Sequence, residues 1–295
     1  MKKMVNASSI FLWTTPEPHE VKELLMKQER KETFYHLTDE AALALYEDRL
    51  VDSELLYGEI VEVLANEGSY TQVVVPDQKN SEEPKGYPGW VFSDDLSTLP
   101  ENWAAALDKV AIKKATAEVT FSSETQKKQC VSIGTILSVV GSDEATYQVI
   151  TPDGTGTVIK ESAQLLGTVI EEPAEQIIAR AKKFLDLRYV WAGTSAAGFD
   201  CSGFVYSLYR TLGIWLSRDA EDQASEGMEV AYRDAQPGDL LFFAYEAGKG
   251  RVHHVGLYLG KDQMIHSQTP GSKVLVTTLS GTNYETELCT VRRLI

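Results

Sequence analysis

The chain has 295 residues, 43% of them hydrophobic, enough for two or three packed domains and far from the composition of a disordered protein. Its formal charge of −15 sets up a field that repels nucleic acid, anionic lipid and teichoic-type polymers. Three scattered cysteines, Cys130, Cys201 and Cys289, form no disulfide framework, and an odd number leaves at least one thiol unpaired.

From Glu172 onward there are 13 basic and 15 acidic residues, so the first 171 residues hold most of the negative charge. That half is suited to a cationic partner such as a free peptide amine, or simply to solubility. The start, Met1 to Ala7, has a charged opening, but the apolar run after it is broken by Thr14, Thr15, Pro16 and Glu17, so no secretory signal is expected. No stretch approaches the ~18 apolar residues of a membrane span. A cytoplasmic protein is expected.

Ile10 to Trp13 reads as a strand ending at Pro16. From His19 to Leu50 apolar residues fall at helical spacing, with Thr38 as an N-cap, predicting two helices. Strand signals resume over Ser53 to Leu64 around Gly58, continue at Ser69 to Val75, and return at Gly89 to Phe92 after a loop from Pro76 to Pro88. A second block repeats the rhythm: Glu118 to Phe121, then Gly134 to Val140 matching Gly58 to Leu64, then Thr146 to Ile150 matching Tyr70 to Val74. A turn at Pro152 to Gly156 leads to Thr157-Val158-Ile159 in the place of Gly89-Trp90-Val91, and Pro100 to Lys114 is expected to connect the copies. Gly154-x-Gly156 and Gly248-Lys249-Gly250 read as turns, not phosphate loops.

Both blocks resemble bacterial SH3-like modules, the first interrupted by the helical piece. Such barrels serve as ligand-binding modules or as spacers, and the residues leave both open. After Pro173 the pattern changes to a helix over Ala174 to Leu187 and a second helix from Cys201 to about Leu212, then the start of another at Asp219 to Ala224. Five strand-like runs follow: Leu240–Phe243, Val252–Leu259, Met264–Ser267, Lys273–Thr277 and Thr290–Leu294. A helix pair beside a mostly antiparallel sheet is an α+β domain.

Chemistry concentrates here. Cys201, at a helix start, meets unpaired N–H groups and the helix dipole, which favour a thiolate and can hold an oxyanion. The competing reading is a buried cysteine acting as a small hydrophobe. Three of the five histidines, His253, His254 and His266, lie on the predicted sheet. If the strands of His254 and His266 are neighbours, the two imidazoles share a face, whereas adjacent His253 points away. Cys201 as nucleophile, His254 as base and His266 as its orienter fill the three roles of a catalytic triad. A zinc site is the other use of one Cys and two His, without diagnostic spacing.

Asp200-Cys201-Ser202-Gly203-Phe204-Val205, Arg218, Pro237 to Phe243, His254-Val255-Gly256 and Ile265-His266-Ser267 resemble the successive motifs of the NlpC/P60 cysteine peptidases, from Ala174 to the C-terminus. The resemblance implies a papain-like catalytic domain at 172–295, with Cys201, His254 and His266 as its triad. The module order, SH3-like 1–105 with an insertion at about 19–50, then SH3-like 111–171, is similar to that of the γ-D-glutamyl-L-diamino-acid endopeptidases of this family. Those imply hydrolysis between D-Glu and the diamino acid of small murein peptides with free L-Ala, by a monomer needing no cofactor or metal. Tyr189, Asp200, Ser202 and Asp219 are then substrate contacts, Arg218 supports their loop, and Ala220 stands where a serine contact is expected. Glu54 and Tyr87 are the candidates for the substrate amine. Rival readings are a thiol-dependent acyltransferase or amidase, and a non-catalytic wall-binding protein.

Overall fold

The computed structural model describes residues 1–28, 33–101, 103, 108–122 and 127–295. The first unit contains β1 (Lys2–Val5), β2 (Ser9–Trp13), α1 (Glu20–Met26), α2 (Asp39–Glu47), β3 (Val51–Leu56), β4 (Ile60–Glu67), β5 (Tyr70–Val75), β6 (Tyr87–Phe92) and β7 (Leu96–Thr98). The second contains β8 (Asp108–Ile112), β9 (Thr116–Phe121), β10 (Lys128–Ser132), β11 (Ile136–Ser142), β12 (Thr146–Thr151), β13 (Gly154–Ile159) and β14 (Ala163–Leu165). Each set makes a seven-stranded sheet, ordered β3-β2-β6-β5-β4-β1-β7 and β10-β9-β13-β12-β11-β8-β14. Adding seven to each strand number converts one order into the other.

The local geometry repeats too. Gly58 and Gly134, at φ 81° and 80°, make the turn before β4 and β11, a left-handed conformation that a Cβ would strain. A bulge follows in each, at Val63/Ala65 and Val139/Gly141.

Three expectations need correction. Asp108–Ile112, expected within the connection, is strand β8 between β11 and β14, with Val110, Ala111 and Ile112 buried. Residues 2–5, expected only as a charged opening, form β1 between β4 and β7, with Met4 and Val5 buried. Gly154 and Gly156 lie in β13, and Val149 faces Gly156 as Val73 faces Gly89, so Gly156-Thr157-Val158 is the counterpart of Gly89-Trp90-Val91, one residue earlier than the pattern suggests.

The C-terminal part begins with α3 (Pro173–Lys182), the short hairpin β15 (Thr194–Ser195) and β16 (Gly198–Phe199), α4 (Cys201–Arg210) and α5 (Ala220–Gln223). Then come β17 (Met228–Val230), β18 (Leu240–Ala244), the turn-like α6 (Tyr245–Gly248), β19 (Val252–Gly260), β20 (Gln263–Ser267), β21 (Val274–Thr278), α7 (Asn283–Glu287) and β22 (Leu288–Arg293). The six strands β17-β22-β18-β19-β20-β21 form one antiparallel sheet. Phe204, Val205 and Leu208 of α4 pack with Val255, Leu257 and Ile265 of the sheet. Burial of each such side chain contributes about 1.5–3 kcal/mol and fixes the helix over β19 and β20.

The three sheets share contacts. Arg210 of α4 forms a buried ion pair with Glu59 of the first unit. Tyr57 donates to Asp153 Oδ2 of the second unit at 2.7 Å, and a Cβ on Gly134 would sit 3.2 Å from Ser207 of α4. No helix among the described residues is long and apolar enough to cross a membrane.

Candidate active site

Cys201 opens α4, and Asp200 caps it: its carboxylate accepts from Gly203 N at 2.6 Å. The small residues of the motif have a steric reason, since a Cβ on Gly203 would stand 2.0 Å from the carbonyl oxygen of Gly193. Arg218 braces the cap through Nη2 to Asp200 Oδ2 at 2.6 Å, and donates to Ser202 Oγ at 3.0 Å. Its Nε reaches Ser53 Oγ of β3 at 2.9 Å, tying the nucleophile's turn to the first unit.

His254 stands on β19 and His266 on β20, with His254 Nε2 2.6 Å from His266 Nδ1. His266 Nε2 in turn lies 2.8 Å from Thr277 Oγ1 of β21. In the tautomer where His254 Nε2–H donates to His266 Nδ1 and His266 Nε2–H donates to Thr277, Nδ1 of His254 is left free to accept a proton. Because the two imidazoles bond each other, their engaged nitrogens do not converge on a cation. Tyr284 stacks on His254 at 5.4 Å between centroids and meets His266 edge-on at 5.3 Å. Burial holds His254 well below the usual imidazole range, with His266 and His253 adding to it, and holds His266 down at about 3.

The thiol shifts against the sequence-based expectation. Loss of hydration pushes Cys201 up to about 12 and the Asp200 carboxylate adds to this, outweighing the N–H groups of Val255 and Ser202 and the Arg218 charge. Helix-start stabilisation of the thiolate is present but smaller than the burial cost, so burial favours the neutral thiol as it favours the neutral imidazole of His254.

Cys201 opens into a groove of about 380 Å³. Of the predicted substrate contacts, Tyr87, Tyr189, Asp200, Ser202 and Asp219 line it, and Glu54 does not. Glu54 is fully buried, its carboxylate accepting from Tyr35 Oη at 2.7 Å and from Thr194 N at 2.6 Å. It anchors the loop before the nucleophile and cannot meet a substrate amine. The acid of β3 that lines the groove is Asp52. β2 pairs Leu12 with Ser53 but Trp13 with Val51, so Asp52 is the extra residue of a β-bulge, which turns its side chain toward the groove. Burial, then the neighbouring Asp219, raises its carboxyl from an ordinary 3.8 to about 6. Asp219 is raised as well, chiefly by burial, and accepts from Tyr87 Oη at 2.9 Å.

Other lining residues escaped sequence reasoning. Tyr46 of α2 meets Trp191 at 5.0 Å, and Trp191 Nε1 donates to the carbonyl of Val51 at 3.0 Å, so the inserted helices wall the groove. Arg251 pairs with Glu221 at 2.8 Å beside Ala220, which offers no hydroxyl. His253 is not a solvent-facing bystander: the register shift at Phe243/Ala244 places it in a bulge, stacked on Tyr245 at 4.1 Å and lining the groove. Only the helical pattern around Tyr46 carried a sequence signal; bulges leave none.

A cysteine at the start of a helix packed on the sheet, with an imidazole on that sheet held through one nitrogen by a second imidazole, is the set of groups that nucleophilic acyl transfer by a thiol requires, and points to the class of thiol hydrolases. Comparison with known proteins gives the class its name: residues 186–293 match the model of the NlpC/P60 family, and the chain belongs to this family of cysteine peptidases. It is 38% identical over 290 residues to a γ-D-glutamyl-L-lysine dipeptidyl-peptidase of Bacillus subtilis (strain 168), covering 96% of this chain and 95% of the relative. A protein of the same name from Bacillus cereus (strain ATCC 10987 / NRS 248) is 32% identical, covering 99% of this chain and 90% of its own. The crystal structure of an NlpC/P60 family protein from Bacillus cereus ATCC 10987 superposes with a TM-score of 0.87 at 31% identity, covering 99% of both chains.

Proposed function

We propose that the chain hydrolyses the γ-D-glutamyl bond to an L-diamino acid in small murein peptides with a free N-terminal L-Ala. One observation carries the reading: the groove holds Asp52, Tyr87 and Asp219 together, two carboxylates whose proton affinity burial raises in spite of the Arg218 charge near both. A substrate ammonium in the groove adds the positive charge that two buried, mutually repelling carboxylates favour. The names of the two full-length relatives support the choice of bond.

In this mechanism Cys201 Sγ attacks the γ-carbonyl carbon as its proton passes to Nδ1 of His254, and the Cys201 backbone N–H holds the oxyanion. His254 then protonates the leaving amine, giving a thioester. Water attacks the thioester, its proton goes to His254, and the thiol leaves with that proton as L-Ala-D-Glu departs. His266 and Thr277 keep the His254 ring oriented throughout. A γ-linked D-Glu keeps its α-carboxylate; of the two arginines lining the groove, Arg49 and Arg251, we assign Arg251, which would exchange Glu221 for it on the wall where Ala220 offers no hydroxyl.

On the same reading the two seven-stranded sheets are SH3-like modules, 1–105 with its insertion at about 19–50 and 111–171, ahead of a papain-like domain at 172–295. A groove closed at the amine end suits released peptides rather than intact wall, and a monomer working in the cytoplasm.

The test is cleavage of L-Ala-γ-D-Glu-L-Lys beside its N-acetylated form, read by mass spectrometry, with Cys201→Ala as control. Release of L-Ala-D-Glu from the free-amine peptide alone is expected, with turnover lost by at least ~10⁴-fold in the variant. Equal cleavage of both peptides would remove the closed amine end from the account.

A further inference from the structure

A second cavity, about 400 Å³, opens beside the histidines and is lined by His253, Gln268, Thr277, Thr282, Asn283, Tyr284 and Glu287. His253 belongs to its wall and to that of the groove, and Tyr284, which lies over His254, forms part of its lining. The cavity therefore shares a wall with the groove at His253 and has Tyr284 between it and the His254 ring, and its lining holds none of Asp52, Tyr87 or Asp219, the groups assigned to the acyl half of the substrate. His254 must reach the leaving amine to protonate it, so the leaving residue lies on the histidine side of the scissile bond.

The charge of this cavity is specific. Its lining holds one carboxylate, Glu287, and neither lysine nor arginine. Glu287 lies 3.3 Å from His253 Nε2, but that nitrogen makes no directed hydrogen bond, so the carboxylate keeps acceptor capacity. The remaining polar lining, Gln268, Thr277, Thr282 and Asn283, is neutral.

We propose that this cavity receives the side chain of the leaving diamino acid, and that Glu287 pairs with the ammonium at its end. The proposal rests on the γ-D-glutamyl reading and adds the residue that selects the leaving group. The ligand chemistry is an alkylammonium, supplied either by lysine or by the distal amine of diaminopimelate. A neutral chain of lysine's length would leave Glu287 without a cation, and the transition state would lose that contact.

The experiment compares kcat/KM for L-Ala-γ-D-Glu peptides ending in L-Lys, meso-diaminopimelate or L-norleucine, in the wild-type chain and in Glu287→Gln. The expected result is an advantage of about tenfold or more for at least one cationic residue over norleucine, falling to near unity in Glu287→Gln. Which cationic peptide is faster identifies the source of the ammonium. Each ratio is taken within one preparation, so a loss of folded enzyme cancels. Equal rates for all three peptides in the wild type, or a ratio unchanged in Glu287→Gln, would overturn the assignment while leaving the γ-D-glutamyl reading intact. Failure to cleave any of the three would overturn both.

Discussion

The two seven-stranded sheets share strand order, turn glycines and bulges after those turns, yet only the first reaches the groove. Six residues before each turn glycine stand Asp52 and Lys128. Asp52 is displaced by a bulge against β2 and turned into the groove, whereas Lys128 pairs in regular register with Thr120 and makes an exposed ion pair with Glu118. Two residues on, Glu54 is buried and bonded to the nucleophile's loop, while its counterpart Cys130 is partly exposed. One extra residue in a strand pairing and one helical insertion thus turn a scaffold copy into part of the groove wall.

Substitutions at matched positions probe that contrast. Glu54→Ala leaves Tyr35 Oη and the Thr194 N–H without their buried acceptor, and the expected loss is about 3 kcal/mol of stability, read by denaturant unfolding. Cys130→Ala should cost under about 1 kcal/mol; similar losses at the two positions would refute the different roles given to them. Asp52→Asn is expected to lower kcat/KM on the free-amine peptide about 30-fold, the ~2 kcal/mol of one charge-assisted hydrogen bond, while raising the stability of the fold at neutral pH, since the variant no longer buries an ionised carboxylate.

The pH profile sharpens the same point. Asp52 titrates near 6 and must be ionised to hold an ammonium. Cleavage of the free-amine peptide should therefore fall by up to tenfold per unit below pH 6, through a limb that Asp52→Asn loses. Stability moves the other way: a raised carboxyl binds protons more readily in the folded chain than in the unfolded one, so Asp52 favours the empty fold as pH drops from about 6 toward 4. A limb that persists in Asp52→Asn would assign the titration to another group. The smallest effect is expected for Lys128→Ala, within about 0.5 kcal/mol in stability and without change in kcat/KM.

Much of this molecule is local in origin and so was legible in the residues alone. Helical spacing after Cys201 and the spacing of His254 and His266 on adjoining strands depend on nearest-neighbour geometry, and the structure brings the two imidazoles within 2.6 Å as that spacing implies. The repeat was legible for the same reason, because its turn glycines need positive φ and its strands alternate. Interactions across the chain were not. Which acid of Asp52 and Glu54 faces the groove depends on a bulge against β2; whether the thiol is raised or lowered depends on a balance of burial against nearby dipoles; and Thr277, Tyr284 and Glu287 join the site only through the sheet and α7 that carry them. The sequence by itself determined most of the elements, the repeat and the chemical family of the site, but not strands β1 and β8. Register shifts, burial and packing between distant segments decided which charges meet the substrate, because those quantities are properties of the assembled fold and of no single stretch of it.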